Sequence, residues 1–123
     1  MDRKRELKRQ FLETPKEMGV FRVLNKESGF SLLECGRDIH ARLNRHKTEL
    51  RLGSHRNRAL QDDWNRLGAD AFFFEAVELL KPAEKPDYDP DDDLETLLAL
   101  TLEREEFSPG KLYNPMHSGR SRA

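Results

Sequence analysis

Cysteine is nearly absent: Cys35 is the single one in 123 residues, which excludes an intrachain disulfide and fits a reducing compartment. No apolar run approaches the roughly 20 residues that a membrane-spanning helix requires. The opening Met-Asp-Arg-Lys-Arg has none of the apolar stretch of a secretory signal. These absences predict a cytoplasmic protein with no membrane partner. Apolar residues are also scarce, at 36% against 37% charged, so the core must be modest and the surface polar. The length suits one domain, and there are no internal repeats. Oligomeric state leaves no mark in the pattern.

The net charge of -1 conceals an asymmetry. Residues 1–60 hold 15 Lys and Arg against 8 Asp and Glu, a surplus of +7, whereas residues 61–123 hold 7 against 15, a deficit of −8. A basic half is able to contact phosphate. The alternative is that the two halves neutralise each other in the fold.

Periodicity divides the chain. Residues 1–17 read as an N-terminal helical extension, with Leu7, Phe11 and Leu12 as a sparse apolar stripe ending before Pro15. Gly19 to Asn25 and Phe30 to Glu34 read as strands of a hairpin around Lys26-Glu27-Ser28-Gly29. Asp38 is suited to cap a helix running to about Leu52, with Gly53 as its stop. On that helix Ile39, Leu43 and Leu50 form the core stripe, His46 falls within it, and Arg42 and Glu49 lie along one edge. A helix near Asn57 to Leu67 carries Leu60, Trp64 and Leu67 inward and stops at Gly68. Ala71 to Leu80 reads as a third strand, and Asp92 or Asp93 caps a last helix through Glu106. Residues 115–123 lack an apolar pattern and read as a disordered tail.

Between Arg42 and Asn57 the chain gathers an arginine, two histidines and a basic surface, the groups that phosphodiester chemistry uses. Ala41-Arg42-Leu43-Asn44-Arg45-His46, Leu52-Gly53-Ser54-His55-Arg56-Asn57, the run from Ala59 to Gly68, Ala71-Phe72 and terminal Tyr113-Asn114 follow in that order. Together they resemble the GIY-YIG nuclease family, in particular its small stand-alone bacterial members, over roughly residues 18–114. The resemblance implies an α/β fold: a small, mainly antiparallel three-stranded sheet flanked by helices. It also implies hydrolysis of DNA phosphodiesters with one divalent metal, Mg or Mn. By resemblance, Arg42 would stabilise charge, His46 and His55 would act near the scissile phosphate, and Asn114 would position. Arginine suits such a phosphate because its guanidinium binds oxygens bidentately as charge builds.

The family pattern breaks at the groups that do chemistry. Gly19-Val20-Phe21 and Leu32-Leu33-Glu34 stand at the name-giving triplets. Phe21 keeps a ring without its hydroxyl, Leu32 keeps neither, and Glu34 replaces a glycine. An ungapped count back from Tyr113-Asn114 puts the family's metal-binding glutamate near Leu98 or Ala99, where there is no acid. Glu95 and Glu103 lie one turn either side, a shift of roughly 6 Å. A missing proton-transfer group typically costs about 10²- to 10⁴-fold, and a missing charge-stabilising donor about 10²- to 10³-fold.

The resulting expectation is a GIY-YIG-like domain that binds DNA through Arg45, Lys47, Arg51, Arg56 and Arg58, with hydrolysis weak or lost. Two alternatives stand beside it. One is an active endonuclease whose metal carboxylate has moved to Glu34, Glu95 or Glu103. The other is a protein-interaction module that touches no nucleic acid. From pattern alone, His46 reads equally as a satisfied core histidine, and Arg42 as the partner of Glu49 or Asp38 on a solvated face. Asp87, Asp89, Asp91 and Asp93 alternate as in a calcium loop but lack its glycine and final glutamate; a solvated acidic loop fits better. Cys35 reads as structural.

Overall fold

The computed structural model describes residues 16–104, 107 and 109–114. The expected N-terminal helix and C-terminal tail lie outside them, apart from residues 16 and 17. Two antiparallel strands, β1 (Gly19–Asn25) and β2 (Ser31–Gly36), form the hairpin. They lead into helix α1 (Ile39–Leu52) and helix α2 (Arg58–Leu67). A 3-10 turn over Ala69–Ala71 then feeds β3 (Phe72–Leu79). Helix α3 (Asp91–Leu102) follows the acidic loop. The sheet order is β2-β1-β3 with both pairings antiparallel, and among the described residues parallel geometry is confined to the bridge between Ser31 and Leu112.

The helix starts were legible because their caps are local. Asp38 accepts the backbone N–H of Ala41 at 3.1 Å, and Asn57 accepts that of Leu60 at 3.1 Å, each satisfying an otherwise orphaned donor. Gly53 ends α1 in the left-handed conformation and Gly68 ends α2. The last helix departs from expectation. It starts after Pro90 without a side-chain cap, carries Asp91, Asp92 and Asp93 in its first turn, and ends at Leu102, short of Glu106. Proline cannot cap through a side chain, so the favourable placement of three carboxylates at the positive end of the helix takes over that role.

Alternation along the strands separates two apolar clusters. Val23, Leu32 and Phe72 pack against Leu50 of α1 and Leu60 of α2, together with Tyr113. Val20, Leu33 and Phe107 pack on the opposite face, joined by Leu97, Leu98 and Leu102 of α3. Each large apolar side chain fully buried in this way contributes roughly 1.5–3 kcal/mol. The phenylalanine run obeys the same period of two: Phe72 is buried and Phe73 is exposed. The central strand is thus covered on both faces, and the face toward α1 receives Phe21.

Tyr113 ties the chain end to the hairpin turn. Its hydroxyl donates to Asp63 at 2.6 Å and accepts from Asn25 Nδ2 at 3.0 Å. Asn25, fully buried, uses its side-chain oxygen to accept the turn N–H groups of Glu27 and Ser28. Burial first, and then the bond to Asp63, pushes the Tyr113 phenol up to about 12.

Candidate active site

Four side chains meet on the α1 face of the hairpin. Arg42 and His46 stand one turn apart on α1, Glu34 projects from β2, and His55 sits in the loop before α2. His46 Nε2 lies 2.9 Å from Glu34 Oε1, and His46 Nδ1 lies 2.8 Å from His55 Nε2. Arg42 Nη2 reaches the same Glu34 oxygen at 3.5 Å. Phe21 forms the floor, its ring centroid 6.0 Å from that of His46 and 5.9 Å from the Arg42 guanidinium carbon. Gly36 allows the arginine to lie across the end of β2, since a Cβ there would meet Arg42 Cγ and Nη1 at 3.2 Å.

The direction of this chain is fixed by a backbone group. The N–H of Asn57 donates to His55 Nδ1 at 3.0 Å, so that nitrogen carries no proton. In a neutral imidazole the proton is then on Nε2, which donates to His46 Nδ1. His46 in turn carries its proton on Nε2 and donates it to Glu34. Both rings are buried and satisfied at both nitrogens. Burial first, then the neighbouring His46, holds the His55 imidazole below its ordinary value.

Burial pushes the Glu34 carboxyl up, but the His46 hydrogen bond and the positive charges of Arg42 and Arg56 outweigh it and leave the group below its ordinary value. The carboxylate is therefore charged at neutral pH. Gln61 braces the loop, accepting the backbone N–H of His55 at 3.0 Å while its amide donates to Leu50 O at 3.0 Å. Sequence reasoning gave no role to Gln61 or to the Asn57 backbone. Their only trace was position, within six residues of His55 and at a helix start.

The remaining predicted residues divide. Leu32 belongs to the apolar core. Asn114 sits at the outer edge of β2, accepting from Leu33 N at 2.9 Å and donating to Leu33 O at 2.8 Å, so its amide is spent on the strand next to Glu34. Glu95 shares with Arg42 a cleft of about 490 Å³, lined also by Cys35, Gly36 and Asp91. Glu103 follows the end of α3 and does not line that cleft. Burial pushes the Cys35 thiol up, which makes it a poor nucleophile.

Among the cations, Arg45 pairs with Glu49 at 3.2 Å and Lys47 lies 5.0 Å over the Phe74 ring. Arg51, Arg56 and Arg58 are exposed and make no ion pair among the described residues. The acidic half does engage part of the basic one, through Glu75 with Arg22 and through Asp89 and Asp91 with Arg37. It leaves those three arginines open.

His46, Glu49 and His55 also bring ligand-type atoms within 4.8 Å of one another. An ion held there would have to displace the proton that His55 Nε2 shares with His46 Nδ1. A hard divalent ion prefers oxygen ligands, and Leu98, at the counted family position, packs into the apolar cluster under α3.

No family model matches the sequence, and no curated protein matches it. Comparison with solved structures does give matches. One is the catalytic domain of homing endonuclease I-TevI, at TM-score 0.63 and 23% identity, covering 79% of this chain and 96% of that one. A mutant of the same intron endonuclease domain matches at TM-score 0.63 and 20% identity, over 80% and 92% of the two chains. This chain has the GIY-YIG fold. The three-stranded antiparallel sheet and its flanking helices are those the resemblance implied. Among the described residues no helix is long and apolar enough to cross a membrane.

Proposed function

We propose that this GIY-YIG domain binds DNA, with metal-dependent phosphodiester hydrolysis weak or lost. One observation carries the reading: the Glu34 carboxylate rests on His46 and Arg42, the two side chains suited to a phosphate. Phe21 and Leu32, which lack hydroxyls, are 1% and 5% exposed and offer no proton to a substrate. Arg51, Arg56 and Arg58 provide phosphate contacts that need none of the missing groups. A single free cysteine, Cys35, supports a cytoplasmic location.

The test pairs two assays. Binding to labelled duplex across a salt series should weaken steeply, as phosphate contacts release counterions. Plasmid and branched-DNA cleavage with Mg or Mn should be weak or absent. Robust metal-dependent cutting that disappears in Arg42→Ala and His55→Ala would overturn the reading. Absence of binding at low salt would favour the protein-interaction module.

A second reading draws on Glu95, which lines the cleft beside Arg42. In an active endonuclease, Glu95 would hold the divalent ion, which would activate water and screen the phosphate. Cleavage abolished by Glu95→Gln would establish it.

A further inference from the structure

We propose that Glu34 is a built-in anion that occupies the place of a DNA phosphate at Arg42 and His46 and holds this face of the domain in a low-affinity state. The inference rests on the DNA-binding reading above and adds a restraint on the same site. It starts from the hydrogen-bond chain. Because the Asn57 N–H fixes the polarity, His46 Nε2 must present a proton to whatever lies above it. That position accepts only an acceptor, and Oε1 of Glu34 fills it at 2.9 Å.

The same oxygen takes the guanidinium of Arg42. Carboxylate and phosphate oxygens are interchangeable partners for an N–H donor of this kind, so the two compete for one seat. Arg56 stands close enough for its charge to act on Glu34, so any anion seated there feels a second cation.

The seat is also reachable. The side chains of Arg42 and Glu34 are 42% and 27% exposed, whereas that of His46 is 8% exposed. The open cleft beyond Gly36 adjoins Arg42. Arg42 holds Glu34 through a single contact of 3.5 Å, longer than a strong charge-assisted bond and not bidentate. Such a contact is displaceable, so its removal should change affinity several-fold rather than by many orders.

The experiment uses the full chain with Glu34→Gln, which keeps the side-chain shape and an acceptor for His46, and Glu34→Ala, which vacates the seat. Duplex DNA binding is followed by fluorescence anisotropy across a salt series. Glu34→Gln should bind roughly 3- to 10-fold more tightly at low salt, and the slope of log affinity against log salt should steepen by about one phosphate. Arg42→Ala should cost more affinity in the Glu34→Ala background than in the natural chain, which isolates the coupling.

Thermal melts check that each variant is folded. Titration with inorganic phosphate, read from the imidazole NMR signals of His46 and His55, is independent of DNA. A saturable shift in Glu34→Ala and none in the natural chain supports the seat. Folded variants with natural DNA affinity and no phosphate-dependent shift would overturn it. If no form binds DNA at low salt, the DNA reading falls, and the phosphate titration alone decides the fate of this inference.

Discussion

His46 and His55 share one proton-carrying contact, Nδ1 to Nε2 at 2.8 Å, and the residue that decides its direction is neither of them. The Asn57 N–H occupies the far nitrogen of His55. Both histidines are therefore expected as the Nε2–H tautomer at neutral pH. Long-range ¹H–¹⁵N correlation on the imidazoles reads this directly; a protonated Nδ1 on either ring would contradict it.

Stability should fall in two stages on acidification. His55 is held below its ordinary 6.5, so the unfolded chain takes up a proton that the folded one refuses. Stability is thus lost as pH drops below about 6.5, continuing until the folded imidazole is protonated. Glu34 is held below its ordinary 4.5, so its contribution is present above that value and is lost on further acidification through the lower folded value. Denaturant midpoints measured from pH 8 down to about pH 2 check this, and a flat profile between neutrality and pH 5 would rule out the His55 part.

Tyr113→Phe removes the hydroxyl shared by Asn25 and Asp63. The amide of Asn25 then keeps only a 3.4 Å approach to Asp63. A loss of about 1–3 kcal/mol is expected from an under-satisfied buried donor, measured by urea unfolding. In the natural chain this phenol should ionise only near 12, visible in an ultraviolet alkaline titration.

Two glycines should respond differently to alanine. At Gly19, φ is +151° and a Cβ would lie 2.0 Å from the Glu78 carbonyl oxygen, inside the central strand pairing. Gly19→Ala should cost on the order of 3 kcal/mol or more. At Gly53, φ is +77° with nothing within 4 Å, so the cost is conformational alone, about 1 kcal/mol. Equal losses in a melting experiment would refute the distinction.

The exposed arginines should act on DNA without regard to sequence. Arg51→Ala, Arg56→Ala and Arg58→Ala should each weaken binding about equally across duplexes and reduce the salt slope by about one. Arg45→Ala should do less, since Glu49 already holds that guanidinium. Measured slopes that do not change with any of the three would remove them from the interface.

Local signals carried far. Asp38, Gly53, Asn57 and Gly68 marked helix ends because a cap joins atoms only a few residues apart. The hairpin was legible from alternation and the third strand from its phenylalanine run, although β2 begins at Ser31 and extends to Gly36. The end of α3 was not legible, because Glu103 to Glu106 continue a helix-compatible composition while the chain leaves the helix at Leu102. Arg42 pairs with Glu34 rather than with Glu49 or Asp38. Helical spacing proposes partners on the same helix, whereas Glu34 arrives from a strand.

By itself the sequence determined the three strands, the caps of α1 and α2, the apolar faces and the residue types of the site, since each depends on neighbours within a turn or a strand repeat. Tertiary structure alone decided which donor faces which acceptor. It set β1 between β2 and β3, brought Glu34 onto Arg42 and His46, and used one backbone N–H to orient two imidazoles. Hydrogen bonds act over about 3 Å. Groups from separate elements reach that distance only after the chain has packed.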